Sequence, residues 1–279
     1  MRRRFAVGSI VTYTVAVIMV LIVILPLLWI FLMSLKTPDE IIKWPPSVFF
    51  KPTLENYIGI FQPSYHHLSF MKVFFNSIII TFTSLVVAIA LASISAYAIS
   101  RLRPRGWKLL NFIILGVRMV PPIALVVPLY IIWGELNLLD TRIGLIIPFI
   151  ALNIPLATWL LEGFFIDIPK NLEDAAVIDG CSPFGAFLKV ILPLAAPGVA
   201  ATSIFSFILS WNNLTLPLPL TMSEASTLPV LASQVRTDEG ILWGHLGAVS
   251  VVMILPIIFF TIFATKYLIK GIASGAVKG

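Results

Sequence analysis

Charged residues divide the chain into long apolar runs. No Asp, Glu, Lys or Arg occurs between Arg4 and Lys36, Lys72 and Arg101, Arg142 and Glu162, Lys189 and Glu224, or Glu239 and Lys266. A membrane-spanning helix needs about 20 mostly apolar residues, so each run holds one. A further run from Lys108 to Glu135 is broken only by Arg118. The pattern predicts an all-α membrane protein with six transmembrane helices over residues 10–33, 73–99, 109–133, 143–165, 197–220 and 246–265, forming one transmembrane domain over 1–279. An even number of spans puts both termini on the same side.

The placement of charge chooses that side. With the N-terminus cytoplasmic, the inner segments carry 12 Lys and Arg residues and the outer loops 6, as the positive-inside rule requires. The inner segments hold 4 acids (Asp167, Glu173, Asp174 and Asp179) and the outer ones 8. Arg2, Arg3 and Arg4 before an apolar stretch also fit the start of a signal peptide. That stretch exceeds the roughly 7 to 15 apolar residues of a signal core, and no small-x-small cleavage pattern precedes Lys36. An uncleaved first span is expected.

Composition narrows the class further. The chain is 59% hydrophobic and 11% charged, against about 25% charged in an average soluble domain, which excludes a single soluble globule. Cys181 is the only cysteine, so there is no disulfide scaffold. The outer segment Thr37 to Met71, with Pro38, Pro45, Pro46, Pro52 and Pro63 among Trp44, Phe49, Phe50 and Tyr57, reads as a cap on the membrane surface, being too short for a core of its own.

Enzyme chemistry is argued against by missing patterns. No Lys follows a Gly, so there is no phosphate loop of the G-x-x-x-x-G-K-[ST] type, and there is no H-E-x-x-H. His66 and His67 in an outer loop, with His245, do not suggest a zinc site, and no nucleic-acid partner or metal is expected.

One inner loop, residues 167–193, parses as two short helices around a glycine corner. Pro169 suits a first helical turn, and Leu172, Ala175, Ala176 and Asp179 repeat at helical spacing. Gly180 fits a left-handed C-terminal cap. Ser182 and Pro183 form a second N-cap and N1 pair before Phe184, Phe187, Leu188 and Ile191. Ala175 and Ala176 would let another backbone approach, while Glu173, Asp174 and Asp179 would offer charge to a partner's basic groups. Spacing alone is equally compatible with a solvated loop that reverses the chain.

At these residues the sequence resembles the permease subunits of bacterial ABC importers, whose cytoplasmic loop reads E-A-A, three residues, G, nine residues, I-x-L-P. Here Asp174, Ala175 and Ala176 are followed by Gly180 and then by Val190, Leu192 and Pro193, with Asp for Glu and Val for Ile. P-L-L-W at 26–29, S-L-K-T at 34–37, L-E-N-Y at 54–57, F-N-S at 75–77, A-Y-A at 96–98 and P-L-Y at 128–130 resemble the smaller permease of the maltose-type carbohydrate importers. Ser210, Trp211 and Asn212 match the S-W-N of that group, whereas Asn213 and Leu214 replace its acidic residue and Phe, and Cys181 stands where Ala is usual.

The resemblance implies a type I importer permease fold in the bacterial cytoplasmic membrane and a multi-subunit complex. Its partners would be a second permease subunit in a heterodimer, two ATPase subunits and a periplasmic or lipid-anchored solute-binding protein. ATP and Mg would be bound by the ATPases, and no cofactor by this chain. The elbow residues Glu173, Asp174, Ala175, Ala176, Asp179, Gly180, Leu192 and Pro193 would couple the ATPases to alternating access for a carbohydrate. The elbow pattern is shared with importers of other solutes such as polyamines, and a channel, which would conduct without a nucleotide partner, is a third reading.

Several polar residues fall inside the expected spans. Arg118 lies about 15 Å into the third span, where a charge is costly and should face the bundle interior or a wet cavity. Glu162 is the nearest counter-charge at similar depth, so a gate pair is one reading and two separate charges reaching for water the other. Asn153, Trp211, Asn212 and Asn213 are candidates for sugar contact, since amides pair with hydroxyls and an aromatic face stacks on a pyranose. Bonding between helices is their alternative role. Pro121, Pro122, Pro128, Pro148, Pro155, Pro217, Pro219 and Pro256 should open carbonyls and kink helices. By the resemblance, the outer segment Thr221 to Gly244 would touch the binding protein.

Overall fold

The computed structural model describes residues 2–62, 68–237 and 240–275, with side chains over 10–62, 68–235 and 240–266. His66, His67, Asp238, Glu239 and Lys278 lie outside the described residues.

In chain order the helices begin with α1 (Arg2–Ser34), α2 (Pro38–Ile42), α3 (Glu55–Gly59) and α4 (Phe70–Tyr97), the last ending in a π turn, Ala98–Leu102. Then come α5 (Trp107–Arg118), α6 (Val126–Glu135) behind a 3-10 turn at Pro122–Leu125, and α7 (Arg142–Asp167). The elbow follows as α8 (Lys170–Ile178), α9 (Pro183–Ala186), a π turn (Phe187–Ile191) and α10 (Leu192–Leu194). The chain continues through α11 (Ala196–Trp211), α12 (Pro217–Leu220), α13 (Leu228–Ser233), a hairpin of β1 (Arg236–Thr237) and β2 (Gly240–Ile241), and α14 (Trp243–Gly275).

Among the described residues, four helices are long and apolar enough to cross a membrane alone: Ile10–Ser34, Phe70–Leu102, Arg142–Asp167 and Trp243–Lys266. The remaining two expected spans are not straight helices. The third bends by 84° between Trp107–Arg118 and Pro122–Glu135. Pro121 and Pro122 explain the break, since two successive residues lack an amide donor and each disfavours helix in the residue before it. The fifth was expected over 197–220, but its helix α11 ends at Trp211. The Asn213 side chain accepts from the Leu216 amide at 3.2 Å, so an amide group competes with the backbone where helix would have continued. At its other end α11 bends by 76° away from Pro183–Leu194.

By internal contacts the chain forms two compact units, 1–69 with 232–254, and 70–231 with 255–279. In the first, Ile10–Ser34 has no buried residue over its apolar window, and its burial begins at its C-terminal end, where Ser34 is buried. Asn56 donates to the carbonyls of Ser34 at 3.0 Å and Lys36 at 2.7 Å, and Ser34 Oγ lies 2.7 Å from Tyr57 Oη. Lys36 is buried, its ammonium donating to Ser47 O at 2.5 Å between the rings of Trp29 and Phe50. Aromatic faces and one carbonyl thus replace the water that a buried cation loses.

The second unit is built on α4, α7 and α11. One apolar cluster joins Ala92, Ala96 and Tyr97 to Ala157, Leu161 and Phe165 and to the elbow's Phe187 and Ile191. Another joins Ile80, Trp133, Leu145, Phe149, Leu216 and Leu220. Small residues on α4 and α7 let these helices approach closely, the packing mode that substitutes for a hydrophobic drive within lipid. At Gly144 even a methyl is excluded, because a Cβ would lie 2.2 Å from the Leu138 carbonyl oxygen.

Candidate functional site

The elbow's corner is fixed by the backbone. Cys181 N bonds to Ala176 O at 3.0 Å and Gly180 N to Val177 O at 3.0 Å, with Gly180 at φ +92°. These are the paired bonds of a Schellman cap, which needs a left-handed residue where glycine carries no Cβ penalty. The next arm starts at Ser182, whose Oγ accepts from Gly185 N at 3.1 Å with Pro183 beginning the helix. Pro169 sits one position earlier than expected, at the N-cap of α8.

The motif residues divide between two faces. Asp174, Ala175, Asp179, Gly180 and Pro193 are exposed, whereas Ala176 is buried and Leu192 is half-buried. Ile178 is 85% exposed, beside exposed Leu172, Val177, Phe184 and Leu188. Glu173 corrects the sequence reading. It does not offer its charge outward but is buried, bonded by the Tyr97 hydroxyl and paired with Arg101 at 3.1 Å. The sequence marks Tyr97 within the A-Y-A triplet and Arg101 as the charge that ends a long apolar run, but it gives neither a role at the elbow.

A cleft of about 620 Å³ opens among α5, α6, α7 and α11. It brings together Arg118, Asn153 and Asn213 of the expected path residues, with Ser210 and Trp133. Arg118 donates to the Leu152 carbonyl at 3.0 Å. Leu152 lies in the turn before Pro155, which lacks the amide that would bond Ala151 O, so Arg118 meets α7 where its helical bonding is interrupted. Asn153 is 3% exposed and donates to Phe149 O and Ser210 Oγ, both at 2.7 Å, while its own Oδ1 has no partner. Among the described residues the lining is otherwise apolar, with prolines, leucines and isoleucines, and holds no acid.

Glu162, Trp211 and Asn212 are not part of this lining. Glu162 is buried and accepts from Asn111 Nδ2 with both oxygens at 2.8 Å. It and Arg118 therefore take different partners and form no gate pair here. Trp211 is 1% exposed and stacks on Phe207 at 5.5 Å, so its ring packs the core and is closed to a sugar. Asn212 is exposed and donates back to Ile208 O at 3.1 Å.

At the opposite end of α7 a loop is held around one carboxylate. Asp140 accepts from the amides of Met222, Ser223, Glu224 and Ala225 at 2.9 to 3.2 Å. Burial acts to raise its pKa, and these four backbone bonds outweigh it and hold the carboxyl below the usual carboxylate range. Asn76 donates to Glu224 O at 2.8 Å and Ser226 O at 3.1 Å and is itself held by Arg142 at 2.8 Å. Ser77 Oγ accepts from Leu228 N at 2.7 Å, and Lys72 pairs with Glu224 at 2.6 Å. Asn76 and Ser77 belong to the F-N-S triplet noted in the sequence, which was a usable signal for this clamp.

Comparison with known proteins bears on all of these features. Residues 88–274 match the family described as binding-protein-dependent transport system inner membrane component. The trehalose transport system permease protein SugB of Mycobacterium tuberculosis (strain CDC 1551 / Oshkosh) is 40% identical over 92% of this chain and 93% of its own. The trehalose/maltose transport system permease protein MalG of Thermococcus litoralis is 33% identical over 95% of each chain. A chain from the crystal structure of a bacterial ABC transporter involved in the import of the acidic polysaccharide alginate superposes with a TM-score of 0.74 at 25% identity, covering 94% of this chain and 96% of that one. With its matched region running from α4 through the elbow into α14, the chain belongs to the binding-protein-dependent transport system inner membrane components, the multi-pass permeases of ABC transporters.

Proposed function

We propose that this chain is one of two permease subunits of an ABC importer for a carbohydrate, working as a heterodimer with two ATPase subunits and a solute-binding protein. The observation that carries the reading is the outward face of the elbow. Ile178, exposed at 85%, lies next to Asp179 at a corner locked by Gly180, and Leu172, Val177, Phe184 and Asp174 are exposed along the same elbow. Large apolar side chains left exposed among acids are the composition of a surface that a protein partner covers. The ATPases would bind ATP and Mg and seat this elbow. Glu173, Asp174, Ala175, Ala176, Asp179, Gly180, Leu192 and Pro193 would together form the coupling element, Glu173 from within.

In this reading the two bent helix pairs count as one span each, giving six, with both termini and the elbow cytoplasmic where the basic residues concentrate. The units 1–69 with 232–254 and 70–231 with 255–279 serve one permease domain. The clamped loop at 221–226 would face the binding protein. Arg118, Asn153 and Asn213 would line the solute path, with Glu162, Trp211 and Asn212 supporting it from the helices around.

A carbohydrate is favoured over a polyamine by the cleft itself. A polycation calls for carboxylates, whereas this lining offers a guanidinium, two amides and a hydroxyl, groups that pair with sugar hydroxyls. The SugB and MalG relatives are named for disaccharide transport. The test is uptake of radiolabelled trehalose, maltose and putrescine into proteoliposomes containing the permease pair and its ATPases. ATP-dependent sugar uptake only with the binding protein present is the expected result. Nucleotide-independent flux would support a channel, and putrescine uptake alone would overturn the sugar reading.

A further inference from the structure

Adjacent acids on α8 face opposite ways. Asp174 is exposed, while Glu173 is buried with one carboxylate oxygen bonded by the Tyr97 hydroxyl and the other in an ion pair 3.1 Å from Arg101 Nε, a contact whose angle makes no hydrogen bond. The guanidinium of Arg101 also donates to Ile168 O at 2.8 Å, so it ties the end of α7, the first elbow arm and the end of α4 at one point. Tyr97 spans both arms. Its hydroxyl bonds Glu173 on α8 and lies 3.4 Å from the Pro183 carbonyl on α9, and its ring packs on Phe187 at 4.7 Å. Ala176, one helical turn beyond Glu173, is buried on the same side. A charge this far from water holds its geometry because breaking the pair leaves an uncompensated ion in the interior.

We propose that Glu173 is a positioning residue, which through Arg101 and Tyr97 fixes the angle of the elbow and fastens it to the end of α4, so that the elbow and this span move as one body. The proposal rests on the elbow being the ATPase seat. Asp174 and Ile178 then make the contact with the ATPase, and Glu173 passes the displacement on. A loosened elbow still docks and still lets the ATPases close, but its motion is taken up by rotation about the corner instead of reaching the spans.

The test uses the complete complex, with both permeases, the ATPases and the binding protein in proteoliposomes. Glu173→Gln is expected to keep the ATPase stoichiometry while the binding protein no longer stimulates hydrolysis and uptake per ATP falls by at least about fivefold, the lower end of typical coupling between sites. Tyr97→Phe should lose coupling in the same direction by a smaller factor. The neutral pair Arg101→Gln with Glu173→Gln leaves no unpaired buried charge, so it guards against simple misfolding, and it should be uncoupled as well. Wild-type uptake per ATP in Glu173→Gln or in the neutral pair overturns the proposal, as does loss of ATPases from a folded Glu173→Gln complex, which would place Glu173 in the docking surface. Ile178→Asp separates the underlying reading. It should strip the ATPases from the membrane, and if they stay bound the elbow is not their seat.

Discussion

Asn153 reaches across from α7 to donate to Ser210 Oγ on α11 at 2.7 Å, while its own carbonyl oxygen faces no donor. One group thus serves both the bundle and the cleft, and the two roles separate by substitution. Asn153→Leu together with Ser210→Ala removes both partners with little change of shape and should cost under about 2 kcal/mol in a detergent unfolding assay, the upper range for bonds between membrane helices. Sugar uptake by the same variant should show a KM raised several-fold, because the orphan acceptor has gone. Unchanged KM would assign Asn153 to packing alone.

Four consecutive amides of the 221–226 loop are held by one ionised group, Asp140. Asp140 has its pKa lowered in the fold, so its contribution to stability is fully present above the unfolded value of about 3.9 and is lost as pH falls through the lower folded value. Amide hydrogen exchange, corrected for intrinsic rates, should therefore protect residues 222–225 evenly from neutral pH down to about pH 4 and release them only below that. Asp140→Asn should expose the same amides at every pH and reduce the stimulation of hydrolysis by the binding protein. Protection that decays between pH 7 and 5 would mean that another group holds the loop.

Gly144 tests the close approach at the start of α7. A methyl there would strike the Leu138 carbonyl oxygen at 2.2 Å, and a backbone atom cannot swing aside as a side chain does. Gly144→Ala should destabilise the protein by about 1 to 3 kcal/mol, as overpacking does, and weaken the Trp133 Nε1 bond to Gly144 O, now 2.6 Å. A blue-to-red change in tryptophan emission would report it. A thermal midpoint within error of the wild type would show that α7 can shift without penalty.

Cys181, the one cysteine of the chain, lies next to Gly180 at the elbow corner and is half-buried. A membrane-impermeant maleimide should label it in inverted vesicles stripped of ATPase and leave it untouched in intact cells. Restoring the ATPases should protect it. In a Cys181→Ser background, Met222→Cys, at a position 69% exposed, should show the reverse sidedness. Labelling of both positions from one side would refute the proposed six-span topology.

The positions of the spans could be read from the chain because the charges that end them are strictly local. The elbow was legible for a similar reason, since Gly180, Ser182 and Pro183 act on their own neighbours. What could not be read was set by residues remote in sequence. Glu173 and Asp174 differ by one step along α8, and which of them turns inward is decided by Arg101, 72 positions away. Trp211 offers the same polar and aromatic face in the sequence whether it lines a path or packs on Phe207. The double proline at Pro121 and Pro122 announced a kink, but neither its 84° size nor the bond by which Arg118, at the end of the first half, reaches Leu152 O on α7 could be read from neighbours in the chain.

The loop from Met222 to Ala225 folds around the carboxylate of Asp140 much as a backbone nest in other proteins folds around a phosphate, except that this anion is part of the chain. Asp140 lies two residues before the start of α7, whose other end meets the elbow through Ile168 and Arg101. The loop is thus templated by the same helix whose far end bonds Arg101, the elbow's anchor. Its four amides take their bearings from a point fixed to the rod, and any tilt of α7 re-aims the loop tip directly, with no flexible linker in which the message could be lost.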